Sequence, residues 1–130
     1  MMTREEVIGE LIRLKKEYCD TGEPESTLWG HFGYEIDNGE VVWVEQDGEV
    51  VAFADFSWIS SLKTEELRNA LLGNKTEGGY ILCVLTVVCT KPGLLWKLRS
   101  KLPKHRRIIG FHDDNIHYPR GIPEHEESLA

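Results

Sequence analysis

Residues 91–107 carry seven cations, Lys91, Lys97, Arg99, Lys101, Lys104, Arg106 and Arg107, and no acid. The segment therefore holds +7 in a chain whose net charge is −7, which leaves −14 (−7 less +7) for the rest. Clustered cations lower the cost of bringing polyanions close, so the phosphates of a cofactor or a strand of nucleic acid would suit this segment. The plainer reading is a solvated helix face with a basic edge that balances an acidic body, and it is preferred. Nucleic acid ranks last, since its binders interleave more aromatic residues and the chain as a whole is acidic.

A second constellation is His112 and His117, with Asp113 and Asp114 beside them. Opposed on neighbouring strands, the two imidazoles would lie within about 5.5 Å of each other, near enough for proton transfer. An ordinary cross-strand histidine pair, strained by mutual repulsion as pH falls, is the preferred reading. Two histidines are too few for a zinc site and no cysteine stands at ligand spacing, so no residue is assigned to a metal. Cys83 and Cys89 would need an exposed, electropositive setting to act as nucleophiles, and a buried strand offers the opposite, so both are read as core. Trp29, Trp43, Trp58 and Trp96 could line an acyl or peptide groove, but at strand and helix spacing core packing is again preferred.

These residues need a scaffold, and 130 residues with 41% hydrophobic and 28% charged content suit one globular domain, 1–130, with a polar tail from about residue 119. Cys19, Cys83 and Cys89 show no CxxC spacing and cannot all pair within the chain, which fits free thiols in a reducing cytosol. The opening MMTREEVIGE has neither the basic start nor the apolar run of a signal peptide, and no stretch is apolar enough to span a membrane. A cytoplasmic protein with no membrane partner is expected.

Thr3 to Glu6 spells a capping box, and Val7, Ile8, Leu11, Ile12, Leu14 and Tyr18 recur at helical spacing, which predicts a helix over about 4–19. After the breaker-rich DTGEPES, a short strand is expected at Phe32 to Ile36, closed by a turn at Asn38-Gly39. Val41 to Glu45 and Glu49 to Trp58 flank Asp47-Gly48, the signature of a type I′ hairpin, with Val44 facing Val51, Trp43 facing Ala52 and Val42 facing Phe53. Both faces of this hairpin are apolar, so helices should cover both. A short helix is expected over Leu62 to Leu72, stopped by Gly73-Asn74. Tyr80 to Cys89, YILCVLTVVC, reads as a buried central strand. Thr90-Lys91-Pro92-Gly93 then opens a helix with Leu94, Leu95, Leu98 and Leu102 on one face, ended by Pro103. Arg106 to His112 reads as the next strand, and a turn at Asp114-Asn115 would return Ile116 to Tyr118 along it, with His112 facing His117 and Phe111 facing Tyr118.

The hairpin VVWVEQDGEVVAFADF, the strand, turn and helix GYILCVLTVVCTKPGLLWKLRSKL and the strand RRIIGFH together resemble the core of the GNAT acyl-CoA N-acyltransferase fold over roughly 41–112. Among such proteins the chain looks most like short, divergent phage- or prophage-type members, in which a P-G turn starts the helix and an FH or WH pair closes the next strand. The resemblance implies an α/β (α+β) fold, a mixed and mostly antiparallel twisted sheet flanked by helices. It also implies acetyl-CoA or another acyl-CoA as cofactor, with its pyrophosphate at the helix start, where free amides and the helix dipole favour an anion. Val87, Val88, Thr90, Gly93, Leu94, Leu95 and Lys97 are the residues that correspond to that cofactor site. TKPGLL departs from the family's Q/R-x-x-G-x-G/A loop, with one glycine and no leading arginine.

The family's usual carboxylate base on this strand has no counterpart in YILCVLTVVC. Asp55 and Glu45 on the hairpin are the nearest substitutes by position, and Asp55 and Tyr118 are taken as the catalytic candidates, with a water or Asp55 taking the proton of a small-molecule or peptide amine. A homodimer is compatible with such a protein. The competing reading is a non-catalytic interaction or accessory module, phage-encoded, that keeps the fold and has lost the cofactor.

Overall fold

The computed structural model describes residues 2–19, 22–60, 65, 79–105, 107–112 and 115–117. The expected helix over Leu62 to Leu72, the polar tail and Tyr118 lie outside the described residues. The chain is a mixed α/β structure whose order is α1 (Arg4–Tyr18), α2 (Glu25–Asn38), β1 (Val41–Gln46), β2 (Glu49–Ile59), β3 (Ile81–Cys89), α3 (Leu94–Lys101), β4 (Arg107–His112) and β5 (Asn115–His117). The strands are ordered β1-β2-β3-β4-β5. Two compact units divide it: Met1–Asp55 with Thr86–Leu102, and Phe56–Leu85 with Pro103–Ala130.

In the first unit, α1 starts at the expected capping box, the Thr3 hydroxyl accepting from the Glu6 amide at 3.2 Å and Glu6 Oε1 from the Thr3 amide at 3.1 Å. Its apolar stripe, Val7, Ile8, Leu11, Ile12 and Leu14, packs with Leu28 and Phe32 of α2 onto Val41, Val50, Phe53 and Val88. The segment expected to be a strand at Phe32 to Ile36 is instead the second half of α2. Gly30 and Gly33 thin its apolar pattern, yet Leu28, Phe32 and Glu35 return at three- and four-residue spacing and all face inward. Gly39, expected to turn a strand, is the left-handed cap of this helix at φ 68°, its amide bonding to the Glu35 and Ile36 carbonyls.

Asp47 and Gly48 adopt φ of 53° and 77°, the pair of positive values a type I′ turn needs. The hairpin register differs from the expected one by a residue: Val44 pairs with Ala52, Trp43 with Phe53, Val42 with Ala54 and Val41 with Asp55. A β-bulge between Val44 and Glu45 causes the slip, since Glu45 pairs with Val50 and Val51 is the extra residue. Val51, Ala52 and Ala54 with Val44 then meet Leu94 and Leu98 of α3, so helices cover both faces of the hairpin as expected. In α3 itself only Leu94 and Leu98 are buried, and Leu95, expected beside them, is 46% exposed because it lies about 100° round the helix from Leu94.

In the second unit, the Tyr80 amide bonds to the Ile59 carbonyl at 3.0 Å and joins the far ends of β2 and β3. β3 pairs in parallel with β4, from Ile81 opposite Arg107 to Val84 opposite Gly110, and Ile81, Leu82, Cys83, Val84, Ile108 and Ile109 are buried there. β4 pairs antiparallel with β5, Gly110 opposite His117, Phe111 opposite Ile116 and His112 opposite Asn115. His112 and His117 are therefore not partners, nor does Phe111 face position 118. The observed register lies two residues from the expected one, and that separates the pair.

Candidate functional site

The unusual chemistry of the described residues sits between α2 and β2, inside the first unit. Phe32 and Phe53 meet edge-on, ring centroids 5.6 Å apart at 90°, and this contact fixes how the helix lies on the strand. One helical turn past Phe32, Glu35 continues the inward stripe. Two residues past Phe53, Asp55 continues the same face of β2. A carboxyl from each element is thereby delivered to a position that packing reserves for apolar side chains, and the two residues are 4% and 1% exposed.

His31, one turn before Glu35 on the same side of α2, covers the pair. Its Nε2 lies 3.4 Å from Glu35 Oε1 and 3.4 Å from Asp55 Oδ2, and its side chain is 38% exposed. Glu35 Oε1 and Asp55 Oδ1 are buried without a hydrogen-bond donor. Burial, then the charge of Asp55 and a hydrogen bond to it, then the charge of buried Glu40, push the Glu35 carboxyl up to about 11, against a smaller opposing pull from Lys15. Glu35 thus keeps its proton at neutral pH. His31, Glu35 and Asp55 each offer one donor atom, and these atoms lie within 4.8 Å of one another, a set able to hold a proton or a metal ion.

Of the residues expected from the sequence, only Asp55 belongs to this cluster. His31 and Glu35 were hidden by the strand reading of their segment; their four-residue spacing is a signal only on a helix. Tyr118 falls outside the described residues. The cofactor candidates gather at the β3–α3 turn without forming one surface. Val87 is exposed, whereas Val88 is buried in the core with α1 and α2. Thr90 donates both its amide, at 3.1 Å, and its hydroxyl, at 2.7 Å, to the Val51 carbonyl, so neither proton is left to grip a phosphate. Gly93 is exposed at φ 85° and caps α3 with no side chain, leaving the first-turn amides of Leu94 and Leu95 without a side-chain partner. The Leu94 side chain is buried; Lys91, Lys97, Arg99, Lys101 and Lys104 are exposed, which fits the solvated-face reading.

Cys83 is buried and its thiol is pushed up to about 12, so it is inert core as expected. Cys89 is not: strand alternation beside buried Val88 turns it outward. Trp96 and Trp29 likewise depart from the core reading, at 76% and 38% exposure.

Comparison with known proteins gives no significant match to a family model, a curated protein or a solved structure. Among the described residues no helix is long and apolar enough to cross a membrane.

Proposed function

We propose that the chain is a GNAT-like protein that binds an acyl-CoA at the β3–α3 turn and passes the acyl group to an amine. The observation that carries this reading is the turn itself: Gly93, exposed and left-handed, opens a helix with no side-chain cap and no acid in its first turn. The element order hairpin, β3, turn, α3 and β4 supports this reading, and β4 runs parallel to β3. Backbone amides of Leu94 and Leu95, helped by the exposed ammonium groups of Lys91 and Lys97, would hold the pyrophosphate. A bound acyl-CoA supplies the activated thioester. The chain would contribute orientation and backbone polarisation while the amine forms the C–N bond and the C–S bond breaks. The amine proton would pass through water to the departing coenzyme A thiolate, because Asp55 is closed off from solvent and engaged with Glu35 and His31.

The competing reading, an interaction module without cofactor, is favoured by Thr90, whose donors are spent on β2. A thermal shift with acetyl-CoA separates the two. Binding to the native state raises stability by about 2.7 kcal/mol at a hundredfold excess over Kd, several degrees in Tm. An unchanged Tm at millimolar ligand would favour the module.

A further inference from the structure

His31 stands at long hydrogen-bond distance from both carboxyls, Glu35 and Asp55. The two separations from His31 Nε2 are 3.4 Å each. Good hydrogen bonds place the heavy atoms roughly 2.7–3.2 Å apart. Two ligands of a tetrahedral ion with bonds of about 2.1 Å, by contrast, stand about 3.4 Å apart. A second observation is the burial of Glu35 Oε1 and Asp55 Oδ1 without a hydrogen-bond partner, on residues 4% and 1% exposed. Buried carboxyl oxygens are seldom left unsatisfied, and a cation held by His31 Nε2, Glu35 Oε1 and Asp55 Oδ2 satisfies the Glu35 oxygen.

We infer that His31, Glu35 and Asp55 hold one divalent transition-metal ion of the zinc class, with a fourth position open to solvent beside the half-exposed His31 ring. One imidazole nitrogen and two carboxylate oxygens suit such a borderline ion, and two carboxylates offset its charge. Calcium and magnesium fit less well, since they ask for six or more ligands, mostly oxygen. The metal-free protein fills the same space with the proton on Glu35. Metal entry breaks that O–H bond, forms a metal–oxygen bond and releases the proton to solvent. The groups that bear on this exchange are Asp55 on β2, His31 on α2, Glu40 after α2 and Lys15 on α1. None of this uses the Gly93 turn, and the site stands or falls apart from acyl-CoA binding.

Calorimetric titration of zinc chloride into chelator-treated full-length chain tests it, beside His31→Ala and Glu35→Gln. One ion per chain is expected, with Kd in the micromolar range or tighter, an observed heat that varies with the ionisation enthalpy of the buffer, and affinity at least about tenfold weaker in both variants. Glu35→Gln matches the uncharged group of the metal-free protein, so it keeps the fold, and circular dichroism checks that. Cobalt(II) in place of zinc should give the visible absorption of a tetrahedral site in the parent chain and lose it in both variants. Absence of saturable binding at millimolar zinc, or equal affinity in all three chains, overturns the inference.

Discussion

At the scale of the residue, Glu35 costs the fold more as pH rises. Its carboxyl titrates near 4.5 when free and at about 11 in the folded chain. A folded-state pKa raised above the free value means that the native state binds the extra proton. The stabilising contribution is therefore complete below about pH 4.5 and drains away as pH climbs towards 11. The metal-free protein should lose up to about 1.4 kcal/mol per pH unit from this group. Urea unfolding at pH 5, 7 and 9 in the presence of chelator should show that fall, and Glu35→Gln should flatten it. Parallel slopes for the two chains would mean that Glu35 ionises freely. Asp55 was named from the sequence by its position on the hairpin, as a substitute for the base missing from β3. Its partners were not, because His31 and Glu35 converge on it only once α2 is known to be a helix.

At the scale of the element, the well-read pieces are those whose signals are local. The capping box of α1, the Asp47-Gly48 turn, the apolar run of β3 and the proline that stops α3 each state their own geometry. The strand reading of Phe32 to Ile36 failed on periodicity, and the remaining misses among the strands depended on pairing. A bulge at Val51 shifts the hairpin register by one, and nothing in VEQDGEVV announces an extra residue. Thr90 supports that bulge by donating twice to the Val51 carbonyl. Thr90→Val removes the hydroxyl donor and keeps the amide, so equilibrium unfolding should show a loss of about 1 kcal/mol. Phe32→Ala removes the aromatic contact that seats α2 on β2, and should cost about 3–5 kcal/mol. The same variant should loosen the site, seen as a drop of Glu35 towards its ordinary range in a carboxyl NMR titration. An unmoved Glu35 would separate the carboxyl pair from the Phe32–Phe53 contact.

At the scale of the whole molecule, charge is divided unevenly, +7 in residues 91–107 and −14 elsewhere, and that was legible from composition alone. The exposed lysines of α3 and of the turn before it lie beside uncapped helix amides, which is the setting proposed for an acyl-CoA. Salt should weaken that binding, since exposed charges are screened beyond about 10 Å at 0.1 M. The most direct measurement is an amide-resolved NMR titration of the isotope-labelled chain with acetyl-CoA at low salt. Saturable shifts centred on the amides of Gly93, Leu94 and Leu95, with Thr90 nearly still, are the expected result. Amides that stay put at millimolar ligand, or shifts that gather elsewhere and leave this turn untouched, would contradict it.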